Sequence, residues 1–286
     1  MKGCVCSVKR ILLAVMVVAT LLFLLGCQPA ATTGTILTAH FIDVGQGDSI
    51  LLQSGEQNIL IDAGDNASGA AVVAYLRAQG VRSLDLVIAT HPHADHIGGL
   101  SEVLTNIPVR RVIDSGQVHT TQTFLNYLRL LEAKNIPFET PAMQRIELAA
   151  NVELRVIGPL RAYDNLNDGS VVVMVTAGTV NLLFTGDMES EAERDLLQAG
   201  GLTAAVLKVG HHGSNTSSTT DFLRAVSPRV AIISVGADNS YEHPSAATLA
   251  RLREVGADIY RTDRHGTIVL MTNGKNFSIR TERKSR

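Results

Sequence analysis

Three histidines and one aspartate fall within six residues in Thr90-His91-Pro92-His93-Ala94-Asp95-His96. Such side chains cannot all enter a core without partners, because each unsatisfied polar group costs free energy on leaving water. A pair of divalent cations satisfies them together, with His91 and His93 directed one way and Asp95 and His96 the other. Pro92 stiffens the loop, Gly98-Gly99 let the backbone come close to the ions, and the helix beyond favours an anionic substrate at its N-terminus. The competing possibility is a solvated His-rich turn. Two later segments supply what a metal pair would still lack. Asp187 follows the apolar run of residues 181–184, where a carboxylate could bridge two ions, and His211-His212 follow the run ending at Val209. Each alone reads as a strand-end turn; beside the first motif they read as one constellation.

The elements that position these groups follow from hydrophobic patterning. Runs rich in Val, Ile and Leu predict strands at residues 39–44, 49–52, 58–61, 84–89, 109–113, 152–157, 171–176, 181–184, 204–209, 230–234, 259–260, 267–271 and 277–280. Helical spacing predicts helices at 68–79, 98–105, 121–134, 190–198, 219–225 and 245–254. Tight turns at 45–48 and 55–57 precede β–α units, which implies a mixed sheet with helices outside. Both halves run from strands to strand–helix pairs, with polar motifs at strand ends. This predicts one α/β domain over residues 38–286, built of two packed halves with a site between their strand ends.

Composition agrees. In 286 residues, 45% hydrophobic and 18% charged residues exclude disorder for the bulk of the chain. A net charge of −2, from 25 Lys+Arg and 27 Asp+Glu, argues against a protein devoted to non-specific duplex binding. Nine His with three Cys suit nitrogen and oxygen metal sites better than thiolate ones. Lys2, Lys9 and Arg10 precede an apolar run over residues 11–25 that falls short of the ~20 residues needed to span a bilayer. Leu24-Leu25-Gly26-Cys27 resembles a bacterial lipobox, which implies a signal peptide over 1–26, a lipidated Cys27 and a tether over 27–37. An uncleaved anchor or a plain secretory signal is the alternative. Cleavage would leave 22 basic residues against 27 acidic ones, a net charge of −5, and no cysteine pair for a disulfide.

The motifs also resemble a family. His91-Pro92-His93-Ala94-Asp95-His96 is similar to the HxHxDH signature of the metallo-β-lactamase fold, Asp62 to the acid preceding it, Asp187 to its bridging acid and His211-His212 to its last histidine motif. Phe41-Ile42-Asp43-Val44-Gly45-Gln46-Gly47-Asp48-Ser49, His211–Ser214 and Tyr241-Glu242-His243-Pro244 resemble the soluble hydrolase domain of ComEC-type DNA-uptake proteins, over essentially all of residues 38–280. The resemblance implies a four-layer αββα sandwich with two divalent ions, Zn²⁺ or Mn²⁺, at the sheet edges. His91 and His93 would hold one ion, Asp95 and His96 the other, and Asp187 would bridge. One of His211 and His212 would complete the second site while the other contacts substrate, and Asp62 would orient the metal loop.

One feature departs from the pattern. Many relatives carry a further His between HxHxDH and the bridging acid, where this chain has only His119, in a polar loop. Near the usual place stands Asn165-Leu166-Asn167-Asp168-Gly169-Ser170, so an oxygen of Asn167 or Asp168 could substitute and favour a harder ion such as Mn²⁺. Asp43 and Asp48 could support the ions from behind or be ordinary turn residues. His243 could donate a proton to a leaving oxygen, bind phosphate, or cap the following helix. His40 and His265 read as structural.

The chemistry expected is hydrolysis, with paired ions activating water and offsetting developing charge, and Asp95 steering the water. A phosphodiester suits two cations better than an amide does. The substrate would be DNA outside the cell or an envelope phosphodiester of choline-phosphate or teichoic-acid type. The remaining possibility is a non-enzymatic surface lipoprotein stabilised by metal. The lipid would hold the protein on the outer face of a bacterial membrane, and no obligate protein partner is implied.

Overall fold

The computed structural model describes residues 34–284, so the expected signal peptide over 1–26 and Cys27 lie outside the described residues. The chain divides into a segment Met1–Thr35 and a compact unit Ile36–Arg286. Leu37 is already fully buried and pairs with Thr272, so the folded unit starts just before the expected residue 38.

Among the described residues the strands form two mixed sheets. The first contains β1 (Leu37–Phe41), β2 (Ile50–Ser54), β3 (Gln57–Ile61), β4 (Leu86–Ala89), β5 (Val112–Asp114) and β6 (Phe138–Glu139), together with β14 (Ile268–Thr272) and β15 (Phe277–Thr281), in the order β15-β14-β1-β2-β3-β4-β5-β6. The second contains β7 (Arg145–Ala149), β8 (Val152–Gly158), β9 (Val172–Ala177), β10 (Val180–Phe184), β11 (Val206–Lys208), β12 (Val230–Ile233) and β13 (Asp258–Arg261), in the reverse of chain order. Pairing is parallel through β3–β4–β5–β6 and through β10–β11–β12–β13.

Strand alternation sorts the apolar side chains into layers. Leu37, Ala39 and Phe41, Ile59 and Ile61, and Leu86 and Ile88 join Val173, Val175, Leu182 and Phe184 in a core between the sheets. The intervening Leu60, Val87 and Ala89 face outward and pack on α1 (Gly69–Ala78), α3 (Leu100–Asn106) and α4 (Gln122–Ala133). Leu183, Leu207 and Ala231 pack on α5 (Ser190–Ala199), α6 (Thr220–Val226) and α7 (Ala246–Glu254). Three stacked apolar clusters therefore separate four layers, the αββα sandwich. Short α2 (Ala94–Ile97) lies in the His-rich segment and α8 (Thr262–His265) follows β13. Among the described residues no helix is long and apolar enough to cross a membrane.

Candidate metal centre

The chemistry-bearing side chains collect at the carboxyl ends of the central parallel strands, where backbone direction reverses and loops from both sheets meet. His91, His93, Asp95 and His96 follow β4, Asp62 follows β3, Asp187 follows β10, and His211 and His212 occupy a 3-10 turn, Gly210–Gly213, after β11. Asp62, His211 and His212 all take positive φ, at 56°, 44° and 52°. Non-glycine residues adopt that region at a cost, which persists where surrounding structure holds them. Gly47 answers a tighter demand: a Cβ there would lie 2.1 Å from the carbonyl oxygen of Asp95. The backbone N–H of Asp48 donates to that same oxygen at 3.1 Å, fastening the β1–β2 loop to the metal loop.

The donor atoms converge. The Nε2 atoms of His96 and His212 lie 3.3 Å apart, and each is 3.3 Å from Asp187 Oδ2. Asp95 Oδ2 is 3.2 Å from His212 Nε2. On the other side His91 Nε2 is 2.9 Å from His93 Nδ1 and 3.9 Å from Asp187 Oδ2. The buried Asp187 Oδ1 has no hydrogen-bond partner. Far-side contacts fix which nitrogen faces inward. His96 Nδ1 donates to Asp62 Oδ2 at 2.8 Å, and His212 Nδ1 donates to the Ser234 carbonyl at 2.9 Å. Asp62 is itself locked by the Thr90 N–H at 2.8 Å and the Thr90 hydroxyl at 2.6 Å.

Two imidazole nitrogens and two carboxylate oxygens that converge on one point call for positive charge between them, supplied by ring protons or by a bound cation, so these residues fit a metal ion. Burial alone would strip protons from the rings, yet Asp187 and its neighbouring carboxylates raise His96 far above its ordinary range and His212 to about 10. The same field favours a divalent ion. Asp95, His96, Asp187 and His212 would hold one, their donor atoms all lying within reach of a single ion.

The structure separates alternatives left open by sequence. His212 is the buried member of the histidine pair that joins Asp95, His96 and Asp187. His211 is 24% exposed and is gripped by Glu189, whose Oε1 lies 2.8 Å from its Nδ1. That hydrogen bond holds Glu189 down at about 2 against the opposing effect of burial. Asp168 braces the start of α5 with one oxygen, its Oδ1 accepting the N–H groups of Glu189 and Ala192 at 3.0 Å. Asn167 donates to Glu189 Oε1 at 3.1 Å, while its buried Oδ1 has no partner and stays open as a ligand oxygen. Asp43 is a turn residue, accepting from the Gly45 N–H at 3.3 Å and pairing with Arg283. Asp48 belongs to the centre: one oxygen lies 3.5 Å from His212 Nδ1, and the other is 2.7 Å from the buried Lys208 ammonium.

His243 does not cap α7. Ser245 does so, accepting the Thr248 N–H at 3.1 Å. His243 instead lines a cavity of about 360 Å³ with Gln46, His93, Asp95, His119, Asp187, His211, His212 and Tyr241. Burial and the neighbouring His211 and His212 push it down to about 4, so its ring is neutral at pH 7. His40 bonds Tyr75 and His265 bonds Arg261, both within structural contacts. Sequence reasoning gave no role to Lys208, Glu189 or Ser170. Ser170 Oγ accepts the Asp187 N–H at 3.1 Å and lies 3.4 Å from His91 Nδ1. His119, left in a polar loop by sequence, stands with its ring 6.1 Å from that of His93.

Residues 42–237, more than half of the chain, match the profile of the metallo-beta-lactamase superfamily. The chain belongs to that superfamily. Among curated proteins, this superfamily member is 30% identical to ComE operon protein 3 of Bacillus subtilis (strain 168) over 92% of its own length and 36% of the relative's. It is 34% identical to competence protein ComA of Neisseria gonorrhoeae over 79% of its own length and 31% of the relative's. It thus spans about a third of the length of these competence proteins. The crystal structure of the metallo-β-lactamase-fold protein YhfI from Bacillus subtilis shares the fold, with a TM-score of 0.51 at 12% identity, covering 79% of this chain and 95% of that one. The chain is therefore a metallo-β-lactamase superfamily hydrolase related to competence proteins, with a His/Asp cluster suited to metal.

Proposed function

We propose that the protein is a phosphodiesterase of the ComEC-like branch that works with two divalent ions, Zn²⁺ or Mn²⁺, and is tethered outside the cell membrane by a lipid on Cys27. The observation that carries this reading is the meeting of His96, His212, Asp95 and Asp187 within 3.3 Å contacts, with His91 and His93 on the other side of the same aspartate. Bound there, the ions would supply Lewis acidity and would acidify a water for hydrolysis. The chain's own groups do the rest. Asp62 and the Ser234 carbonyl hold imidazole tautomers, Asp187 spans the two halves of the cluster, and Asp95, 31% exposed, reaches the cavity where it can orient the attacking water. His243 lines the cavity wall with its ring held neutral by burial, and in this reading it hydrogen-bonds a leaving oxygen.

Relatedness to competence proteins favours nucleic acid as the phosphodiester. An envelope phosphodiester is the second reading, favoured because no Lys or Arg is among the described residues lining the cavity. Bis-p-nitrophenyl phosphate tests the activity: metal-stripped protein should be inactive, reloading with Mn²⁺ or Zn²⁺ should restore turnover, and His93→Ala should abolish it. Absence of turnover in reloaded protein would refute the phosphodiesterase reading. Comparison of single-stranded DNA with choline-phosphate esters then separates the substrates.

A further inference from the structure

We propose that Tyr241, stacked on His243 at the mouth of the metal cavity, is a platform for the base of a nucleotide substrate, a specificity device that rests on the phosphodiesterase reading above. The two rings lie nearly parallel, with centroids 5.7 Å apart and planes 25° from one another. Tyr241 is 66% exposed, so the face away from His243 remains open. Both rings line the cavity that contains Asp95, Asp187 and His212. The His243 ring in turn stands 5.4 Å from that of His211, edge to face.

Exposure of Tyr241 is not a sign of a loose loop. Asn239 accepts the His243 N–H at 3.0 Å and donates to the carbonyls of His243 and Gly236 at 2.7 and 2.9 Å. The Gly236 N–H donates to Gln46 Oε1 at 3.2 Å, tying this loop to another cavity residue. The Ser245 N–H donates to the Gly213 carbonyl at 2.9 Å, beside the histidine turn. A large aromatic side chain is thus held open to water on a braced backbone, next to where the phosphate must sit.

Two features choose the occupant. The cavity lining holds neither Lys nor Arg among the described residues, so a polyanion is not tracked there through its backbone charge. Binding beyond the reacting phosphate must come from the group attached to it. A parallel pair of rings with one open face extends naturally onto a third planar ring, as in base stacking on aromatic platforms. A quaternary ammonium is instead recognised by a cage of aromatic faces, and Tyr241 is the sole Tyr, Phe or Trp among the described lining residues.

Calorimetric binding of phosphate monoesters to the metal-loaded protein tests this without requiring turnover. Thymidine 5′-monophosphate should bind roughly 10-fold more tightly than deoxyribose 5-phosphate, as expected for one base–aromatic stack. Tyr241→Ala should erase that ratio, whereas Tyr241→Phe should preserve it. Equal affinities in the wild-type protein, a ratio unchanged in Tyr241→Ala, or tightest binding of phosphocholine would each overturn the proposal. An intact base preference in a protein that fails to hydrolyse bis-p-nitrophenyl phosphate would refute the phosphodiesterase reading alone and leave the platform standing.

Discussion

Lys208→Met should destabilise the metal-free protein by about 3–5 kcal/mol, the usual cost of leaving a buried charge without its partner. The Lys208 and Asp48 side chains are 0% and 1% exposed, with Nζ 2.7 Å from Asp48 Oδ2. Nζ also donates to the Val209 carbonyl at 2.9 Å. Methionine keeps most of the stem volume and removes only the ammonium, so little of the loss comes from packing. Asp48 would then lose its one hydrogen-bonding cation and keep only the His212 ring, 3.5 Å from its Oδ1. For a domain of this size the loss corresponds to a fall in Tm of roughly 6–20 °C. Asp48→Leu should cost a similar amount by stranding the lysine. The double variant Lys208→Met/Asp48→Leu should recover most of the loss, since an apolar pair can replace a buried ion pair at little cost. Urea unfolding followed by circular dichroism in excess chelator measures all four proteins, with equal m-values required for the comparison. A single variant within about 1 kcal/mol of wild type, or a double variant as unstable as the sum of the singles, would refute the assignment of this pair as a coupled buried unit.

Three other perturbations address the site and its surroundings. Asp62→Ala should weaken metal affinity by roughly 10–100-fold, since it removes the acceptor that fixes the His96 ring; chelator competition reads this, and wild-type affinity would contradict it. Saturating Mn²⁺ or Zn²⁺ should raise the Tm of stripped protein by linkage, and His93→Ala should shrink the rise. A thermal shift of equal size in the variant would remove His93 from the ligand set. His40 is pushed from 6.5 to about 4 by burial, so it stays neutral in the fold while the unfolded chain takes up a proton. Stability should therefore fall by up to about 3 kcal/mol as pH drops from 6.5 to 4, and His40→Asn should flatten that slope; an unchanged slope would exclude His40 as its source.

Much of the fold was legible because its strands advertise their burial. Leu86–Ala89 is buried at every position and reads as an unbroken apolar run, and the residues after it change abruptly to His, Pro and Asp. The four layers came from the family resemblance, and the three apolar clusters account for them physically. The strands passed over were β6 and β7, at the sheet margins. Phe138 and Glu139 are both exposed, and in β7 only Leu148 is buried, so neither carries much hydrophobic signal.

The site was legible where chemistry clusters in sequence and silent where it depends on long-range contact. His91 to His96 announce themselves. Nothing local distinguishes His211 from His212, because two successive left-handed residues and the distant Ser234 carbonyl decide which ring turns inward. Lys208 reads as a charged residue within an apolar strand, and its partner Asp48 lies in another sheet's hairpin turn. That one Asp168 oxygen accepts two backbone N–H groups at the start of α5 was equally silent, because those groups lie more than twenty residues away in the chain.

The most direct test of the account is a metal titration of the stripped protein, with turnover of bis-p-nitrophenyl phosphate measured at each addition and bound metal counted by mass spectrometry. Turnover should climb to a plateau at two Mn²⁺ or Zn²⁺ per chain. A plateau at one ion, or two tightly bound ions with no phosphodiester cleavage, would contradict it.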